Sequence, residues 1–179
     1  MDHLEPLRKR IRAAPVTGPP PPWVRLANHA VGGLTEVGFA EDTDLLLVVS
    51  SQGRGVIDCL TGQRVARNRA EPDDSWYDER RLRATGIGPL EGRSIRLAGL
   101  HGGGLPNGGR DGWSVVAIPL EWPDEHLLLV EPWRWIYDAS TRFTKLAVER
   151  EVRAFGFSDT GNSLVIAISS DVQVYGWRP

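Results

Sequence analysis

From Leu34 onward, short apolar runs alternate with clusters of Gly, Asp, Asn and Pro, the pattern of β-strands joined by tight turns. Leu34–Phe39, Leu45–Ser51, Arg54–Asp58 and Gln63–Arg67 read as four strands, with turns at Gln52-Gly53 and Thr61-Gly62. The C-terminal part repeats this grammar in Val152–Ser158, Leu164–Ser170 and Asp171–Trp177, with a turn at Asp159–Asn162. Gly38-Phe39 matches Gly156-Phe157 at an offset of 118, and Ser50-Ser51 matches Ser169-Ser170 at 119, so the copies are expected to differ by one turn residue. A weaker third copy covers 83–90 and 94–100 around the turn Glu91-Gly92. Alternation along the repeated strands places Phe39, Leu46, Val48, Phe157, Val165 and Ala167 in the core.

Before these repeats the period changes. Leu4, Leu7 and Ile11 have helical spacing over residues 1–14, and Pro6 is tolerated only in a first turn. Pro15 and Pro19 to Pro22 then force an extended spacer of polyproline II type.

The string Gly156-Phe157-Ser158-Asp159-x-Gly161-x-x-Leu164-Val165-x-x-x-Ser169, followed by Val172-x-Val174-Tyr175, resembles the first three strands of a WD40-type β-propeller blade. Val56-Ile57-Asp58-x-x-Thr61-Gly62-x-x-Val65 is similar to the third and fourth strands of such a blade, although the Gly-His and Trp-Asp signatures of WD40 repeats are absent. The resemblance implies a mostly β fold of about three antiparallel propeller-like blades, an atypical or incomplete propeller, with a short N-terminal helix. It implies no particular activity. On this reading residues 1–22 are helix and spacer, and 23–179 form the β domain. Trp135–Arg142 and Phe143–Val148 would be the outer strands of a second blade, carrying an insertion at 101–134 with strands near 113–120 and 126–131. Trp23–Ala27 would supply the strand that the last blade lacks after Trp177. Ordinary propellers have four to eight blades. Three would need either an unusual closure or a homodimer that covers the blade edges.

Composition narrows the function classes. Net charge is −2, which argues against a general nucleic-acid binder while leaving room for a local basic patch. The single cysteine, Cys59, excludes an intrachain disulfide framework and a cysteine zinc cluster, and its apolar setting reads as a buried hydrophobe. The N-terminal stretch has no signal-peptide-like apolar run and no window is long enough to span a bilayer, so the expectation is a cytoplasmic protein with no membrane association.

Motifs for catalysis are incomplete. His101-Gly102-Gly103-Gly104 is similar to an esterase oxyanion loop, but its companion nucleophile elbow is missing: Gly156-Phe157-Ser158-Asp159-Thr160-Gly161 is one residue too long and lies in a hairpin. The loop 102–112 lacks the Lys-Ser/Thr of a phosphate loop. His3, His29, His101 and His126 are far apart, and the acidic strings Asp73–Glu79 and Asp124–His126 lack calcium-loop spacing. No cofactor or metal is expected.

Seven tryptophans carry more information. Most suit core packing, but Trp113, Trp122, Trp133 and Trp135 fall in or beside the insertion, and Trp76-Tyr77 lie in an acidic loop. An aromatic cluster ringed by carboxylates suits a protein interface and favours a basic partner. The expected partner-binding residues are Asp73, Asp74, Trp76, Tyr77, Asp78, Glu79, His101, Arg110, Trp113 and Trp122. The expected function is a non-enzymatic interaction protein, such as a bacterial immunity protein that inhibits a toxin. Alternatives are a small-molecule or carbohydrate-binding module, a hydrolase with spatially assembled carboxylates, or a structural subunit completing a larger β-propeller assembly.

Overall fold

A computed structural model describes residues 4–69 and 75–179. Helix α1 (Glu5–Ala13) carries Pro6 in its first turn, and Leu7 and Ile11 sit one turn apart on its buried face. The chain then runs extended, with Val16 bridged to Lys145 and the Thr17 N–H donating to the Lys145 carbonyl. Strand β1 (Trp23–Ala30) follows. The rest of the chain forms β2 (Leu34–Phe39), β3 (Leu45–Ser50), β4 (Gly53–Asp58), β5 (Gln63–Arg69), β6 (Tyr77–Asp78), β7 (Arg83–Thr85), β8 (Ser94–Arg96), β9 (Ala98–Gly99), β10 (Ser114–Glu121), β11 (Asp124–Val130), β12 (Phe143–Glu149), β13 (Val152–Phe157), β14 (Ser163–Ile168) and β15 (Asp171–Trp177). The fold is mostly β, and all named strands pair antiparallel. No helix among the described residues is long and apolar enough to cross a membrane.

The strands make four sheets rather than about three: β5-β4-β3-β2-β9, then β6-β7-β8, then β10-β11-β12, then β1-β15-β14-β13. Two of them are copies. Phe39 faces Leu46 as Phe157 faces Leu164, and Val37 faces Val48 as Phe155 faces Ile166. Leu46 faces Ile57 as Leu164 faces Tyr175. The bulge between Leu34 and Glu36 recurs between Val152 and Ala154. Even the outer strands agree, since Gly55 faces Arg67 as Gln173 faces Asn28, and β1 occupies the place of β5 with its bulge at the same step. The expected pairing of the N-terminal Trp23 segment with the last strand is therefore present.

A single shift of 118 residues relates β2, β3 and β4 to β13, β14 and β15, which corrects the expected extra turn residue. By register Ser50 corresponds to Ile168, not to Ser169. All six core residues expected from alternation are buried. Val165 and Ala167, however, occupy the opposite sheet face from the one matching Leu46 and Val48, because the one-residue misalignment exchanges faces. Both faces of these sheets are covered, so period-two polarity is weak in them.

The shared Gly-Phe has a steric cause. A Cβ on Gly38 would stand 2.0 Å from the Arg96 carbonyl oxygen, and one on Gly156 would stand 2.7 Å from that of Pro106. Both inner strands are thus crossed by another chain segment at the same position. The phenylalanine beside each glycine points into the core, Phe157 against Trp23 at 5.5 Å between ring centroids.

The sheets stack in series. Ala84 and Ile95 of the second sheet, with Leu97 just after β8, pack on Leu47, Val49 and Val56 of the first. Leu46, Val48 and Ile57, on the other face of the first sheet, meet Val165, Ala167 and Val174 of the fourth. The far face of the fourth sheet, with Leu164, Ile166 and Tyr175, meets Leu127, Leu129 and Val115 of the third. Leu7 and Ile11 of α1 cover the remaining face of the third sheet at Leu128 and Val130. Among the described residues no core cluster joins the second sheet to the third.

Residues 101–134 are accordingly not an insertion in a blade, because β10 and β11 found the third sheet with β12. Trp135–Arg142 holds no strand. It is a turn-rich loop in which Thr141 donates through its hydroxyl to the Trp135 carbonyl. The weak third copy at 83–100 is split between sheets: β7 and β8 form a hairpin, and β9 crosses to pair with β2.

Candidate functional site

The β10–β11 turn lifts Trp122 to 88% exposure beside a cleft bounded by Asp124, Glu125, Glu149, Glu151 and Ser169. Register creates this cluster. Glu125 and Glu149 face each other across β11 and β12, so their side chains leave the same sheet face. Burial pushes both carboxyls above the usual range. For Glu149 Asp171 adds to the rise, while a 2.8 Å hydrogen bond from Gln173 Nε2 and the nearby Arg25 guanidinium favour the charged form. Two of the carboxylates are offset locally, as Arg150 pairs with Asp124 at 2.5 Å and Arg153 approaches Glu151 at 3.9 Å.

A second cluster lies on the same end of the sheets. The Leu34 N–H donates to the Ser169 carbonyl at the cleft, and the Leu100 N–H donates to the neighbouring Thr35 carbonyl. His101 follows, its Nδ1 bonded to the carboxylate of Glu36 on β2. Glu36 is 1% exposed, whereas the His101 side chain is 37% exposed. The Tyr77 hydroxyl lies 3.3 Å from the same carboxylate and 3.0 Å from His101 Nδ1. Burial first, and then the Glu36 carboxylate, push the Tyr77 phenol up to about 12. Glu36 absorbs two polar neighbours that would otherwise leave a desolvated carboxylate unpaired. The sequence reading included Tyr77 and His101 and missed Glu36, which reads as an outward residue until β9 and the His101 loop cover β2.

The remaining expected site residues separate. Asp78 and Glu79 flank Tyr77, and the Arg81 backbone N–H and guanidinium hold the Asp78 carboxyl below its usual range. Asp73 and Asp74 lie outside the described residues. Trp76 is half-buried, packed on the first sheet rather than standing free. Trp113 is a correction: at 9% exposure it belongs to the core between the third and fourth sheets rather than to an exposed aromatic face. Arg110 is exposed but bonds Asn162 at the β13–β14 turn, apart from the Trp122 cleft. Three exposed aromatic residues are missing from the expected set: Trp133 at 83%, Trp135 at 65% and Tyr137 at 49%, all in the β11–β12 loop.

Ser158 belongs to a buried polar network. It is buried and donates to Asp44 Oδ1 at 2.7 Å, and Thr160 donates to the same carboxylate at 2.8 Å. This network ties the β2–β3 turn to its copy in the β13–β14 turn. Cys59 is buried, and burial raises its thiol well above the ordinary value. Among the described residues no group of three His, Cys, Asp or Glu side chains is placed to hold a metal ion. Compared with known proteins, the chain matches no family model, no curated protein and no solved structure.

Proposed function

We propose that this chain is a non-enzymatic binding protein on a propeller-like scaffold, and that its partner is a basic protein segment docked beside Trp122. One observation carries the reading: a tryptophan 88% exposed at a hairpin tip, next to a cleft bounded by four carboxylates. Large aromatic side chains at a rim of opposite charge to the partner make effective anchors. Asp78 and Glu79, beside Tyr77 and His101, add further carboxylates to the surface. The narrower form of the proposal is an immunity protein that plugs the active site of a basic toxin in the bacterial cytoplasm.

The test is kinetic. A partner captured from the source cell should dissociate at least tenfold faster from Trp122→Ala, about 1.4 kcal/mol or more. Joint replacement of Asp78, Glu79 and Glu151 by their amides should slow association and flatten its salt dependence, leaving dissociation nearly unchanged. A captured partner that binds Trp122→Ala with wild-type kinetics overturns the assignment.

A second reading rests on Glu125 and Glu149. Opposed carboxyls raised by burial beside an exposed tryptophan would also suit a sugar, with one acid held protonated for general acid catalysis. Glycoside turnover abolished by Glu125→Gln would favour it over protein docking.

A further inference from the structure

The duplication of the first and fourth sheets gives two equivalent junctions whose contents can be compared. Where the fourth sheet meets the third, Gln173 projects across from β15, and Arg25 lies on the neighbouring strand β1. Between them sits a carboxylate of this chain, that of Glu149, bonded by Gln173 Nε2 at 2.8 Å. Where the first sheet meets the fourth, the register places Gly55 in the position of Gln173 and Arg64 in that of Arg25.

Gly55 carries no side chain to cross the gap, and Arg67, its partner on β5, replaces Asn28. The result is a cavity of about 70 Å³ lined by Gly53, Gly55, Arg64, Arg67, Ala30 and Ser50 among others, with no described carboxylate in its wall. The Arg64 guanidinium reaches over to the Ala30 carbonyl of the fourth sheet at 3.5 Å. Among the described residues neither Arg64 nor Arg67 has an ion-pair partner. Two guanidiniums beside a glycine floor present donors and room to an oxyanion.

We infer that this junction is a carboxylate-binding site, in which an external carboxylate takes the place that Glu149 holds at the equivalent junction. The chemistry is shared by a small free acid and by an acidic side chain or chain end of a peptide. The proposal does not depend on the Trp122 docking surface.

Titrating the full chain with acetate, and separately with N-acetylglycylglycine and its amide, tests it by the NMR shifts of the Arg64 and Arg67 guanidinium N–H groups. Both carboxylates should give saturable shifts and the amide none. A peptide carboxylate binding at least tenfold tighter than acetate would identify a chain end as the source, and equal binding a small acid. Gly55→Leu fills the gap without adding a donor, and its Cβ meets only the Ala66 carbonyl oxygen at 3.5 Å, an ordinary contact, so the fold is expected to tolerate it. That variant should lose carboxylate binding at least tenfold, as should the exposed Arg67→Gln. Absence of saturable shifts in the wild type, or wild-type binding by either variant or by the amide, overturns the proposal.

Discussion

The Arg54 guanidinium lies 4.4 Å from the ring centroid of Trp76, so the tryptophan of the acidic loop stacks on a nearly buried arginine of β4 instead of standing free. The same arginine donates to the Thr85 carbonyl at 2.7 Å, which joins the first and second sheets through one side chain. Trp76→Ala should therefore lower stability by about 2 kcal/mol, the sum of a cation–π contact and partial loss of burial. Melting and denaturant midpoints check this, and an unchanged midpoint would return Trp76 to the interface.

Asp44 is the hub that links the two equivalent turns. Asp44→Ala strands the hydroxyls of Ser158 and Thr160 and should cost about 2–3 kcal/mol. Asp44→Asn keeps an acceptor and should lose less. Equilibrium urea unfolding of the two variants compares them.

The inner-strand glycines are set by the segments that cross them. Gly38→Ala and Gly156→Ala should each destabilise by about 2 kcal/mol or more, since the blocking atoms include backbone carbonyls that cannot swing aside. Gly55→Ala should change stability by under about 1 kcal/mol, because that Cβ has room. Parallel thermal melts of the three variants measure the contrast.

Alkaline stability should follow the tyrosines. Burial pushes the Tyr175 phenol up to about 12. The folded state therefore keeps its proton where the unfolded chain, with an ordinary phenol near 10, has lost it. The stability this contributes is full below about pH 10 and is lost as pH rises toward 12. Tyr175→Phe should flatten that decline, as seen in denaturant midpoints across the range. Tyr77→Phe should flatten it less, because Tyr77 is more exposed to solvent.

Local grammar determined much of this protein by itself. The short helix, the strand runs at 34–67 and 152–177, the buried Cys59 and the pairing of the Trp23 segment with the last strand follow from period, turn residues and the match between Gly38-Phe39 and Gly156-Phe157. These depend on neighbours in sequence, or on a copy that shows its own register. What tertiary structure alone decided is what each face meets. A three-residue strand such as β7 or β8 has too few positions for a period, so the runs at 83–90 and 94–100 read only as a weak third copy and not as a hairpin of a separate sheet. Trp113 and Trp122, nine residues apart, read alike as aromatic surface candidates, yet one is core and the other projects from a hairpin tip. Glu36 became a buried carboxylate only because β9 and the His101 loop close over β2. The cavity at Gly55 is the clearest case. A glycine in a strand carries no sign of function, and its meaning arises when the equivalent Gln173 is seen reaching a carboxylate across the neighbouring junction. Side-chain periodicity reports which way a residue points, but distance between sheets is set by packing, and packing is a property of the whole chain.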